Sequence, residues 1–524
     1  MFTTARPRWG RALKATALAV AAAAALTLAG CTPGGNGEPA APSDTLTVAV
    51  STPPISMDPT TAGNGLPLAW YMALPYEPLI QRDPDGDTAP GLATEWAYSE
   101  DRLSFVLQLR EGVTFSDGDE LTAEGVVAWL DHYKANGTFS GNWFANVTGF
   151  EATGPLEVTV RLSSPDPMLP WAFGQAGNAG AIVSPTGLEN AESLGTETHG
   201  AGPYMLDSAA TVANSSYVFV KNPNYWNPDT QYYEKIVFTV IPDQNSTLSA
   251  LRSGQVQVAQ GSSATAEAAR DAGLEVFQGP SAMVGAYFAD FDGTVVPEFK
   301  DLRVRQALNY ALDREAITSA VYGDFGTATV GYTPDGIAGY LPELNDVYPY
   351  DPDRARELLA EAGYPDGFSF TMLVQTGIDN GDLLAEAMVA QWAEVGVDVE
   401  LKSYAAFADY VTDFFSNQYG ITTLNYNYSE QLIATSGLAI PGAAYNTFGF
   451  SDQGAIDLVA EQRKYDTDSP EGIEAAEASE TYLVETAFAV PVASIDAVVF
   501  STSAVTDVDF SVFLAQPQYW QPAG

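Results

Sequence analysis

Apolar and polar positions recur along the chain with two different periods. Leu103, Phe105, Leu107 and Leu109 alternate with polar or solvent-side neighbours, as do Val158, Val160 and Leu162; this is the period of a half-buried strand. The run Ile236 to Ile241 predicts a more fully buried strand. From Asp301 the period changes: Val304, Ala307, Leu308, Ala311 and Leu312 fall at i, i+3, i+4, i+7 and i+8 and predict one apolar helix face, with Arg303, Arg305 and Asn309 pointing elsewhere. A second helix carries its own punctuation. Asp351 suits the N-cap, Pro352 the first helical position, and Gly363 the left-handed stop, while Ala355, Leu358, Leu359 and Ala362 form its buried stripe. The run 368–374 then predicts a strand, Leu384, Ala387, Met388 and Trp392 a helix ending before Gly396, and Val397, Val399 and Leu401 a further strand. This βαβ-like succession predicts a mixed α/β protein with helices covering a sheet.

The first thirty residues read as a processing signal. Arg6, Arg8, Arg11 and Lys14 precede the apolar run Ala15 to Leu28, which is shorter than the roughly 20 residues a spanning helix needs. The run ends in Leu28-Ala29-Gly30-Cys31, and Cys31 is the single cysteine of 524 residues. The segment resembles a bacterial lipobox, which implies that Cys31 becomes the lipidated N-terminus. A lone cysteine also leaves stability to the core, without an internal disulfide. Residues 32–43, rich in Gly and Pro and free of apolar periodicity, predict a flexible tether.

Charge narrows the function classes. With 22 Lys+Arg against 66 Asp+Glu, the formal charge is −44, which excludes a generic nucleic-acid binder, because phosphate contacts need a cationic patch. Adsorption to an anionic membrane is disfavoured for the same reason, so a membrane tether has to be lipid. Yet 46% of the residues are hydrophobic and 11% aromatic, enough for a large core. Catalytic motifs are sparse. His132 and His199 are the only histidines and form neither an H-E-x-x-H nor a Cys/His cluster; no metal site or cofactor is expected. No nucleophile elbow, P-loop or dinucleotide fingerprint is present. The competing class is a secreted glycoside hydrolase, which needs only two carboxylates on opposing elements.

Several blocks then occur in a specific order: Pro90-Gly91-Leu92-Ala93-Thr94-Glu95-Trp96; Glu111-Gly112-Val113-Thr114-Phe115-Ser116-Asp117-Gly118; Gly202-Pro203-Tyr204; Asn222-Pro223-Asn224-Tyr225-Trp226; Asp301-Leu302-Arg303-Val304-Arg305-Gln306-Ala307-Leu308; and Leu358-Leu359-Ala360-Glu361-Ala362-Gly363-Tyr364. Each is architectural by itself: Phe115 to Gly118 and Asn222 to Asn224 are turn chemistry, and Arg303 and Arg305 brace a helix by ion pairs. Together the order resembles the extracellular solute-binding proteins of family 5, the peptide, nickel and oligosaccharide binders of ABC importers.

The resemblance implies a periplasmic-binding-protein-like α/β fold of the type II, large cluster C form: two hinged lobes with a third inserted domain. The expected division is 1–30 signal peptide, 31–43 tether, 44–77, 181–283 and 491–524 lobe I, 78–180 inserted domain, and 284–490 lobe II. It implies a monomer that makes and breaks no covalent bond. Anchored on the outer face of the cell membrane, it captures a small-molecule or peptide solute and passes it to an ABC permease and ATPase complex. Family peptide binders pair the peptide amine with an acid in a W-x-x-D-Y-like stretch. The matching stretch here holds Asn425, Tyr426, Asn427, Tyr428 and Glu430, with Asn427 where the acid would stand. These five are the expected ligand-binding residues: the two asparagines and two tyrosines suit a solute gripped by neutral hydrogen bonds and stacking, oligosaccharide or peptide, and Glu430 is an acid that could substitute for the missing anchor.

Overall fold

The computed structural model describes residues 44–524 except 64, 84–86, 139–142, 176, 377–378, 405–406, 428–430, 442, 444 and 509–515. The expectations for the signal peptide, the tether, Cys31, Tyr428 and Glu430 lie outside the described residues.

One eleven-stranded mixed sheet dominates. Its path runs Val397–Tyr404, Phe368–Gln375, Ile421–Asn427, Glu275–Phe288, Ala489–Ser501, Val258–Gln260, Thr45–Val50, Lys235–Val240, Ser216–Lys221, Tyr204–Leu206, with Gly326–Ala328 pairing to Ala489–Ser501 off this path. Parallel pairs occur on both sides: Thr45–Val50 lies between Lys235–Val240 and Val258–Gln260, and Phe368–Gln375 pairs with Val397–Tyr404 and, at Leu373, with Ile421–Asn427. The helix Gly381–Glu394 makes the connection between the parallel strands Phe368–Gln375 and Val397–Tyr404, as the βαβ pattern predicts.

Two long antiparallel strands join the sides. Glu275–Phe288 and Ala489–Ser501 pair from Glu275↔Ser501 to Tyr287↔Ala489, with register shifts at Pro280/Ala282 and Val284/Gly285. Their halves serve different cores. Ala282 to Phe288 and Ala489, Val490, Val492, Ala493 and Ile495 are buried in one core with Leu308, Leu359, Met388 and Trp392. Val499 belongs to a second core with Leu46, Val48, Trp70, Phe105 and Trp129. The expected boundaries at 283/284 and 490/491 fall inside these two strands.

A separate antiparallel sheet, ordered Ala93–Tyr98, Ser104–Leu109, Glu157–Leu162, Val147–Gly154, shares that second core. The helix Ala123–Asn136, capped by Thr122 Oγ1 accepting from Gly125 N, packs Val126, Trp129, Leu130 and Tyr133 into it.

Local expectations meet the structure unevenly. Ser104–Leu109 buries Phe105, Leu107 and Leu109, whereas Leu103 is 39% exposed in the preceding turn. Lys235–Val240 is half-buried rather than fully buried: Ile236 and Phe238 are buried in the core and Val240 packs against it partly buried. The helix Leu302–Tyr310 has Asp301 as its N-cap and buries Val304, Ala307 and Leu308. It also buries Arg305 and Asn309, which periodicity had sent elsewhere. The reason is a set of backbone acceptors, most of them distant in sequence. Arg305 donates to the carbonyls of Phe299, Thr486 and Ala487, and Asn309 donates to Ala489 O at 3.1 Å. Arg305 thus binds backbone carbonyls, while Arg303 makes the expected ion pair, with Asp301.

Candidate functional site

In open α/β sheets, solutes bind in the crevice outside the carboxyl ends of the strands. On one side of the sheet these ends deliver Ser51 and Gln260, whose side chains are joined, Ser51 Oγ donating to Gln260 Oε1 at 2.6 Å. The segment leaving Thr45–Val50 exposes Ile55 at 70%. On the other side, Phe368–Gln375 ends beside the first half of Ile421–Asn427, Gln375 N donating to Thr423 Oγ1 at 3.3 Å.

Alternation along Ile421–Asn427 sorts the expected site residues. Thr422, Leu424 and Tyr426 turn into the core; Tyr426 is 6% exposed and packs edge-on to Tyr445 with ring centroids 5.9 Å apart. Thr423 and Asn425 take the opposite, half-buried face. Asn427 closes the strand, its backbone opposite Ala282.

Asn425 also brings in a residue that the local motif did not contain. Its Nδ2 donates to Oδ2 of Asp379, which lies just past the carboxyl end of Phe368–Gln375, directly before the helix Gly381–Glu394. The bend that aims Asp379 is built from two consecutive left-handed residues, Asp379 at φ 46° and Asn380 at φ 55°, residue types that tolerate this region. Tyr322 Oη donates to Asp379 O at 2.9 Å and Asn380 Nδ2 to Val321 O at 3.3 Å, fixing the bend. Asp379 is exposed; desolvation by nearby protein raises its pKa, with Asn425 opposing the rise. Among the described residues, no lysine or arginine pairs with it. Nothing in the sequence near 425 pointed to Asp379; only the three-dimensional neighbourhood of two parallel strand ends does.

Other carboxyls are committed to the fold. Glu480, 1% exposed, accepts from Tyr332 N, Thr333 N, Thr333 Oγ1 and Gln431 Nε2. Asp117 closes the expected turn by accepting from Asp119 N and also holds His199 Nδ1 at 3.0 Å.

Comparison with known proteins decides the class. Residues 87–432 match the bacterial extracellular solute-binding proteins, family 5 (middle region). The chain belongs to this family. The glutathione-binding protein GsiB of Escherichia coli O1:K1 is 31% identical over 372 residues, covering 69% of this chain and 70% of GsiB. GsiB of Shigella flexneri serotype 5b is 30% identical over 368 residues, again 69% and 70% of the two chains. Among solved structures, the dipeptide-binding protein from Pseudoalteromonas sp. SM9913 in complex with Met-Leu superposes with a TM-score of 0.79 at 21% identity, covering 91% of this chain and 100% of that one. DppA from Helicobacter pylori in complex with the peptide STSA gives 0.78 at 21%, covering 92% and 98%. These matches establish the type II binding-protein fold of two hinged lobes. As a family 5 member the chain is a solute-binding protein of ABC importers, and its relatives are binding proteins rather than enzymes. Among the described residues no helix is long and apolar enough to cross a membrane.

Proposed function

We propose that this protein captures short peptides with a free amino terminus outside the cell membrane and hands them, unaltered, to an ABC permease and ATPase complex. In this reading Cys31 carries the lipid that tethers a monomer, and residues 32–43 hold it off the membrane. The lobes divide as the sequence suggests, hinging along Glu275–Phe288 and Ala489–Ser501 near the register shift at Pro280/Ala282; such irregularities bend strands locally. Asp379, oriented by Asn425, receives the peptide ammonium.

The observation that carries the ligand class is the Asp379–Asn425 pair. A wetted carboxylate without a cationic partner, at the carboxyl ends of two parallel strands, is a receptor for a positive group. The amide at 427 has no negative charge to offer, but a carboxylate arriving from the adjacent strand end does. The kinship with glutathione- and dipeptide-binding proteins supports the same class, since both solutes carry a primary ammonium. This favours a peptide over a neutral oligosaccharide.

Calorimetry with free-amine and N-acetylated forms of the same di- and tripeptides tests it. Hydrogen bonds to charged groups contribute about 1.5–3 kcal/mol, so Asp379→Asn is expected to weaken the free-amine peptide by about 10- to 100-fold and to leave the acetylated one unchanged. Equal binding of both peptide forms by the parent protein would refute the amine anchor.

A further inference from the structure

Two charge pairs cross the seam between the four-stranded sheet and the turn that joins helices Gln453–Gln462 and Pro470–Glu485. Arg463, the C-cap of the first of these helices, places Nη1 2.9 Å from Oδ2 of Asp166, just past Glu157–Leu162. Arg102, in the turn between Ala93–Tyr98 and Ser104–Leu109, places Nη2 2.7 Å from Oδ1 of Asp466. The polarity is crossed: each side supplies one cation and one anion, so only one docking register satisfies both.

Both ends are prepared. Asp166 has 5% of its side chain exposed and also accepts from Asn146 Nδ2 at 2.8 Å and Met168 N at 3.2 Å. Arg102 sits at φ 54° with its guanidinium 4.4 Å from the Tyr98 ring centroid, and Tyr98 Oη donates to Asp166 O at 2.6 Å. Tyr98 therefore ties the two anchors of this side together. Opposite, Asp466 is held in its turn by Ser469, whose N and Oγ both donate to Asp466 O. Alongside the pairs, Leu432 and Val459 are buried in the core that contains the four-stranded sheet, although their helices also contribute Ala434, Leu438 and Ala455 to the other core.

The composition sharpens the point. Acids outnumber bases 66 to 22, so bringing two acidic halves together is opposed by their net charge, and two of the scarce arginines stand where the halves meet. Side-chain exposures of 20% and 52% leave the Arg102–Asp466 pair open to solvent and therefore to salt, and in the second pair solvent reaches Arg463, 25% exposed, while Asp166 is buried at 5%.

We infer that Arg102–Asp466 and Arg463–Asp166 form a salt-sensitive clasp that sets the balance between the open and closed protein. The inference rests on the two-lobed fold and is independent of which solute is bound. A solute shifts this balance only by its differential affinity for the closed form, and the clasp fixes the starting point, hence the apparent affinity.

The test needs no ligand. In the full chain carrying Cys31→Ser, spin labels at Asp131→Cys and Glu474→Cys, both exposed on helices either side of the seam, report separation by pulsed electron spin resonance. The ligand-free protein at about 10 mM NaCl is expected to show a closed population that Arg463→Gln and Arg102→Gln each reduce, lowering the closed-to-open ratio about two- to fivefold. Raising NaCl to about 1 M, which cuts the screening length to about 3 Å, reproduces that shift in the parent and adds little in the double variant. The charge swap Arg102→Asp with Asp466→Arg restores the closed population. Distances indifferent to the substitutions and to salt would overturn the clasp, making the pairs a fixed brace within one rigid body.

Discussion

Glu77 is a carboxyl in the wrong solvent, and its ionisation is expected to be legible in the pH dependence of stability. It is 2% exposed; Oε2 accepts from Trp226 Nε1 at 2.8 Å and Oε1 from Gln81 Nε2 at 3.0 Å. The hydrogen bond from Trp226 opposes the effect of burial most, and the Arg110 guanidinium, 3.8 Å from the Trp226 ring centroid, adds to it, together only in part. Burial wins, lifting the pKa from the ordinary 4.5 to about 7. Because the folded pKa lies above the unfolded one, the folded chain binds the extra proton between these values. The stabilisation is complete below the unfolded pKa and is lost as pH rises through the folded one. At 1.36 kcal/mol per pKa unit, the ceiling is about 3 kcal/mol. Urea unfolding at about pH 5 and about pH 8 measures it, by linear extrapolation. Asp379, Glu480 and Asp496 are also raised by burial and give slopes of the same sign, so the comparison with Glu77→Gln is what isolates Glu77. The substitution keeps the volume and one acceptor but removes the titration, and it is expected to remove about 2–3 kcal/mol of the loss between the two pH values. Identical pH slopes in parent and variant would refute the burial argument.

Other changes probe the scaffold and the tether. Arg305→Lys keeps the charge but cannot reach the carbonyls of Phe299, Thr486 and Ala487 together; it is expected to cost about 2–4 kcal/mol in urea unfolding. Gly367 sits at φ 77° and an added Cβ would overlap the carbonyl oxygen of Gly396, so Gly367→Ala is expected to cost about 2 kcal/mol or more by the same assay. Cys31→Ser is expected to release the protein from the membrane fraction or leave its leader uncleaved, as fractionation and intact mass would show; unchanged membrane association contradicts the lipid tether.

Local structure was largely written in local pattern. The cap at Asp351, the stop at Gly363 with φ 99°, and the buried stripe of Ala355, Leu358 and Leu359 depend on residues a few positions apart, and the sequence displays all of them. What escaped reading depends on partners far along the chain. Arg305 and Asn309 fall off the apolar face by periodicity, and the acceptors that bury them include carbonyls about 180 positions away, on the segment 486–489. The strand Glu275–Phe288 contains Gly279-Pro280, a turn signal in isolation, yet it continues through a register shift there because Ala489–Ser501 pairs along its length. At the candidate site, strand alternation made the burial of Tyr426 foreseeable as one of two phases. Asp379 was not foreseeable, because its link to Asn425 spans 46 positions and depends on two strand ends meeting.

Native mass spectrometry of the protein with an equimolar mixture of free-amine di- and tripeptides, including glutathione, and neutral oligosaccharides tests the central claim most directly. The account predicts a one-to-one complex with an intact free-amine peptide, released unaltered on denaturation. Cleaved fragments accumulating with time would point to a hydrolase, and capture of an oligosaccharide in preference to every peptide would contradict the assignment of the solute.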